Sequence, residues 1–69
     1  MIEFELNGKE FIELNKLLKI LALVESGGQA NLFITEGHVK VNGEVETAKR
    51  KKMRAGAVIH FMENEITVK

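Results

Sequence analysis

The chain has no cysteine, no proline, no tryptophan and no tyrosine, and all ten of its acidic residues are glutamate. Each absence closes a route. Without cysteine there is no disulfide and no thiolate zinc site, so a domain this small must be held by apolar packing, with help from a partner where one exists. Two histidines, His38 and His60, have neither cysteine nor aspartate beside them. A metal site needs three or four converging ligands, and none is expected here. Ser26 has no base partner at a useful spacing, so it reads as a helix cap and not as a nucleophile. No enzyme and no cofactor is expected. With only four aromatics, Phe4, Phe11, Phe33 and Phe61, mostly on or beside apolar faces, stacking of single-stranded bases finds little support. The phenylalanines are expected in the core. Long hydrophobic runs are missing as well. The longest, Ile20 to Val24, falls far short of the ~20 residues that cross a membrane. Glu3 and Glu5 stand where a secretory signal would carry positive charge, so the expected location is cytoplasmic.

What remains is 69 residues, 45% hydrophobic, with no net charge. That fits one small globular domain spanning residues 1–69. The balanced charge hides an asymmetry. Residues 1–38 carry three lysines against six glutamates, and residues 39–69 carry seven basic residues against four glutamates. Most of the second excess lies in Lys49, Arg50, Lys51, Lys52 and Arg54. A local cluster of this kind attracts an anionic partner irrespective of the sum.

The stretch Ser26 to Gly43 organises the rest. Ser26 is a good N-cap and Gln29 follows at capping-box spacing, so the glutamine side chain is expected to reach back to the cap N–H. Ala30, Phe33 and Ile34 share one helical face, Gly37 is placed to end the helix, and Asn42-Gly43 marks a tight turn. Gly27 and Gly28 are costly in a first helical turn. They point either to close packing, to a flexible joint, or to an approaching phosphate that uses the unpaired N–H groups.

Elsewhere, Ile2, Phe4 and Leu6 alternate with polar residues as a half-buried strand that Gly8 ends. Leu14, Leu17, Leu18 and Leu21 define one face of a first helix beginning between Lys9 and Glu13, with Asn15, Lys16 and Lys19 turned outward. Val39, Val41 and Val45 flank the turn. A three-residue loop Val41-Asn42-Gly43 is preferred, because it pairs Val39 with Val45 and Lys40 with Glu44, whereas a two-residue turn sets Val39 against Glu46 and Val41 against Glu44. Thr47 to Arg54 shows no apolar period and is expected to be a loop or irregular edge strand. Ala57–Met62 and Ile66–Val68 are the last strands, with a turn at Glu63-Asn64 that pairs Phe61 with Ile66 and Ile59 with Val68. The order β-α-α-β-β-β-β predicts an α+β domain, two helices packed on a small, mainly antiparallel sheet.

Three segments together carry a family resemblance. Leu14-Asn15-Lys16-Leu17-Leu18, Ser26-Gly27-Gly28-Gln29-Ala30 and Ile34-Thr35-Glu36-Gly37-His38-Val39-Lys40-Val41-Asn42-Gly43, followed by a basic run, resemble the S4 RNA-binding domain. The pattern is similar to the small stand-alone bacterial members of that family. The resemblance implies an S4-like (alpha-L) fold and a non-catalytic module that docks on structured RNA, ribosomal or transfer RNA among the candidates. It implies contacts from Ser26, Gly27, Gly28, Gln29 and Asn31 on the helix side, and from Lys40, Asn42 and Gly43 on the hairpin side. The exposed cations Lys16, Lys19, Lys49, Arg50, Lys51, Lys52 and Arg54, with His38 beside the helix end, complete the candidate set. Many S4 domains have arginine where this chain has Gly27 and Glu13, and Gly-Asp where it has Gly56-Ala57. The basic run is expected to stand in for those arginines. The alternative expectation is a protein-interaction adaptor using the same surface against an acidic partner.

Overall fold

A computed structural model describes residues 1–69. Strand β1 (Ile2–Phe4) leads to a short strand β2 (Ile12–Glu13), which runs directly into helix α1 (Leu14–Ile20). A link reaches α2 (Gly27–Thr35), and five strands follow: β3 (Val39–Val41), β4 (Glu44–Val45), β5 (Lys52–Met53), β6 (Val58–Phe61) and β7 (Asn64–Val68). The main sheet has the order β1-β7-β6-β3-β4, with β1 parallel to β7 and every other pair antiparallel. This is the expected α+β arrangement, two helices on a mostly antiparallel mixed sheet.

The pleat explains the core. Ile2, Ile66, Ile59 and Val41 are successive cross-strand partners, so one apolar row crosses four strands. Phe61, beside Val39, extends that face. Leu14, Leu17 and Leu18 of α1 and Ala30 and Ile34 of α2 are fully buried within the same cluster. The leucine face of α1 is therefore the one the spacing marks, with Leu21 only partly covered at the helix end. Burying one such leucine stabilises the fold by roughly 2 kcal/mol. Helix α2 ends as expected: Gly37 has φ +84°, its N–H donates to the Ile34 carbonyl, and the His38 N–H donates to the Phe33 carbonyl, both at 3.0 Å. That pair of bonds is the Schellman motif, and it turns the chain directly into β3.

Two registers differ from expectation. The β3–β4 turn contains two residues, not three, and pairs Lys40 with Val45 and Val41 with Glu44. Asn42 (φ +51°) and Gly43 (φ +88°) both occupy the left-handed region, as the tightest hairpin turn requires. The supposed cost of setting glutamate beside valine does not arise, because β4 is an exposed edge strand with no core to face. In the last hairpin the turn is Met62-Glu63, so Ile59 pairs with Ile66 and Phe61 with Asn64. The expected register is off by two residues. A two-residue slip keeps every side chain on its own face, so the apolar pattern alone cannot separate the two.

Candidate nucleic-acid interface

The irregular stretch Thr47–Arg54 is tethered to the first half of the chain. Lys52–Met53 pairs with Ile12–Glu13 as a separate two-stranded sheet, and Met53 is buried in the core. Helix α1 has no side-chain cap. Its first N–H groups instead donate to the basic segment: Leu14 to the Lys51 carbonyl at 2.9 Å and Asn15 to the Lys49 carbonyl at 3.0 Å. The backbone of residues 49–53 thus closes the start of α1 while Met53 anchors it. The side chains of Lys49, Arg50, Lys51, Lys52 and Arg54 stay exposed. The first four pair with no carboxylate, and Arg54 only grazes Glu10 at 3.9 Å. Arg50, Lys51, Lys52 and Arg54 line an open groove of about 750 Å³, with Asn42 of the hairpin on its far wall.

The start of α2 offers a different surface. Ser26 Oγ accepts the Gln29 N–H at 3.1 Å, as the capping spacing predicts. The glutamine reaches one residue further back than expected: Gln29 Oε1 accepts the N–H of Glu25 at 2.6 Å, not that of Ser26. The N–H groups of Gly27 and Gly28 have no partner in the protein. Neither glycine has a positive φ. A Cβ at Gly27 would meet nothing within 4 Å, and one at Gly28 only Ser26 Oγ at 3.8 Å. Close packing inside the molecule therefore does not account for the pair. One turn on, Asn31 Oδ1 accepts the Asn15 side-chain amide at 3.0 Å, which ties α2 to the start of α1 and to the basic segment bound there. Asn15, read from sequence as merely outward-facing, is the missed residue of this cluster.

The hairpin residues divide. Asn42 faces the basic groove, where its Oδ1 accepts the Val58 N–H at 3.0 Å while its own N–H donates to the Val58 carbonyl at 2.8 Å. Its side-chain N–H₂ remains free. His38, Lys40 and Gly43 line a second open groove of about 520 Å³ together with His60, so they are not gathered with the basic segment. His60 Nε2 lies 3.0 Å from Glu65 Oε1. Lys16 pairs with Glu13 at 3.1 Å, and Lys19 is exposed in the last turn of α1. Lys69 lies on the main sheet away from both grooves, and its hydrogen bond and charge pairing with Glu3 raise its pKa above the usual lysine value.

Phe11 departs from the core expectation. It is only half-buried, Lys52 Nζ stands 4.8 Å from its ring centroid and Arg54 Cζ 5.6 Å. The pairing of Ile12 with Met53 puts those two inward and leaves Phe11, Lys52 and Arg54 on the opposite face.

Set against known proteins, this architecture is that of the S4 domain. The S4 domain family model matches residues 4–69, and the chain belongs to that family. It is 44% identical over 68 residues to YbcJ of Escherichia coli (strain K12), a match covering 99% of this chain and 97% of the relative. The solution structure of YbcJ, described as revealing an ALFAL motif involved in RNA-binding, superposes with a TM-score of 0.75 over 99% of this chain and 86% of that one. The probable ribosome maturation protein RlbA of Bacillus subtilis (strain 168) is 36% identical over 52 residues, 75% of this chain and 73% of the relative. No helix is long and apolar enough to cross a membrane.

Proposed function

We propose that this protein is a non-catalytic module that binds structured RNA through phosphates. The observation that carries the reading is the basic segment. Its backbone is committed to the start of α1 and its strand to β2, while four cations carry no internal counter-ion. A row of free cations on a tethered backbone gains affinity by releasing the counter-ions condensed on nucleic acid, with little dependence on sequence. The free N–H groups of Gly27 and Gly28 and the Asn42 amide offer hydrogen bonds that fix register on the backbone. Membership of the S4 family, and the RNA-binding motif ascribed to YbcJ, support RNA as the anion. The ribosome maturation role in the name of RlbA favours ribosomal RNA as the first structured RNA to try.

The test is fluorescence anisotropy of the purified protein with ribosomal RNA fragments, transfer RNA and matched duplex DNA, each at three salt concentrations. Engagement of about four phosphates gives a log–log salt slope near −3 to −4. Binding that prefers structured RNA and shows this slope is the expected result. A flat salt dependence, or no binding at low salt, refutes the reading.

A further inference from the structure

A cleft of about 310 Å³ opens between the end of β1, the loop after it and α1. Its apolar walls include Phe11, Ile12 and Ile20, and Asn7 and Lys9 stand at its polar rim with Glu5. None of the candidate groups at Ser26–Gln29 or Lys49–Arg54 belongs to it. Its size lies at the lower end of small-ligand pockets. Ile20 is 61% exposed, a large apolar side chain left open at the cleft although the leucines of its own helix are buried. Asn7 forms no side-chain hydrogen bond, so both its amide donors and its carbonyl oxygen are free.

Phe11 joins this cleft to the basic groove. The ring is part of the cleft wall, and the two cations held over it, Lys52 and Arg54, line the groove. A planar group entering the cleft meets an aromatic ring, and an anion attached to that group lies within reach of the two cations that share the ring. A nucleotide has this construction, with an apolar, hydrogen-bonding plane tethered to a phosphate. In a duplex the plane is stacked away. In a bulge or loop it is free to leave the stack and be held on an aromatic side chain, with its edge read by polar groups.

We propose that the cleft beside Phe11 receives one unpaired nucleobase of the RNA whose flanking phosphates lie along Lys52 and Arg54. The proposal deepens the RNA-binding reading and rests on it. Asn7 supplies a donor and an acceptor to the base edge, and the Glu5 carboxylate accepts from an exocyclic amino group. Lys9 at the rim meets the next phosphate. The module therefore selects RNA helices that carry an unpaired nucleotide with an exocyclic amino group over fully paired ones.

The experiment compares two RNA hairpins that differ only by a single bulged adenosine, titrated against the full-length protein, with 2-aminopurine in place of the bulged base in a parallel series. The expected result is about tenfold tighter binding of the bulged hairpin and a rise in 2-aminopurine fluorescence as the base leaves the helical stack. Phe11→Leu lowers affinity for the bulged hairpin by about tenfold more than for the paired one and so erases the preference, and Phe11→Trp restores it. Equal, salt-sensitive affinity for the two hairpins overturns the cleft proposal and leaves the RNA-binding reading in place. Binding of neither hairpin at low salt overturns both. The comparison is made first on the unmodified protein, so it does not depend on how well either Phe11 variant folds.

Discussion

The backbone N–H of Leu14 donates to the carbonyl of Lys51 at 2.9 Å. Helix α1 is thereby closed by the main chain of the segment whose side chains make up the basic groove. Structure and charge are separable there, since the peptide groups serve the helix and the ammonium and guanidinium groups face solvent. Reversing charge at Lys49, Arg50, Lys51 and Lys52 together should leave the circular dichroism spectrum and thermal transition near those of the parent. RNA affinity should fall by more than about a hundredfold at 0.1 M salt, with the salt slope collapsing toward zero. A folded quadruple variant of unchanged affinity would remove the basic segment from the interface.

Gly27 tests the start of α2. Open space surrounds its missing side chain and its N–H is unpaired. Gly27→Arg places a cation where many S4 domains carry one. The helix gains about 0.5–1 kcal/mol from losing a glycine and gives back a comparable amount by setting a cation at its positive end. Stability should change little. RNA affinity should rise several-fold and the salt slope steepen by roughly one phosphate, while Gly27→Glu weakens binding. Equal affinities of the arginine and glutamate variants would show that RNA does not approach α2 at this end.

Ser26 is the only side-chain cap of either helix, since α1 has none. Ser26→Ala should cost about 1 kcal/mol in urea unfolding, because the Gln29 N–H loses its acceptor. Ser26→Asp should retain that stability, as its carboxylate accepts the same bond and suits the helix dipole. A Ser26→Ala variant as stable as the parent would mean that solvent caps α2 equally well.

These relationships divide by range. Signals confined to a few residues were legible in the sequence: Ser26 to Gln29, Gly37 in the left-handed region, the leucine face of α1, and Asn42-Gly43 as a turn. Each rests on local backbone chemistry or helical period. At Asn42-Gly43 the local signal was clear and the apolar pairing of Val39 with Val45 pointed to the wrong loop length, whereas the last hairpin's register was hidden because that chemistry was silent. Met62 adopts φ +55° without being glycine or asparagine, so no residue type announced its turn. The pairing of Ile12 with Met53 spans most of the chain and involves strands of two residues, too short to show a period. The caps on α1 come from main-chain carbonyls, which every residue possesses and no side chain reveals. Hence the basic cluster was visible as composition, while its backbone bonds to α1, its contact with Phe11 and the role of Asn15 were not.

Met62 itself yields a prediction. It is 67% exposed, so its side chain contributes little to the core, yet its backbone is held in a region that costs a residue with a Cβ of order 1 kcal/mol. Met62→Gly relieves that strain and should raise the urea midpoint, by up to about 1 kcal/mol of stability, less whatever the freer unfolded chain takes back. A lowered midpoint would mean that the exposed methionine packs against its neighbours more than its accessibility implies.

Asn42 combines two structural duties whose loss is separable. It tolerates φ +51° at the first turn position, and its Oδ1 accepts the Val58 N–H at 3.0 Å, continuing the β3–β6 pairing beyond Val41. Asn42→Gly keeps the left-handed turn and loses the acceptor. Asn42→Ala loses both. Asn42→Asp keeps both, since aspartate enters the left-handed region and its carboxylate oxygen takes the place of Oδ1. The order of stability should be asparagine and aspartate close together, glycine lower by roughly 1 kcal/mol, and alanine lower by roughly 2 kcal/mol. Amide exchange at Val58 should speed up in the glycine and alanine variants and stay slow in the aspartate variant. Were glycine to match asparagine in both readouts, the turn conformation alone would account for Asn42, and its amide would be held by nothing as it faces the basic groove.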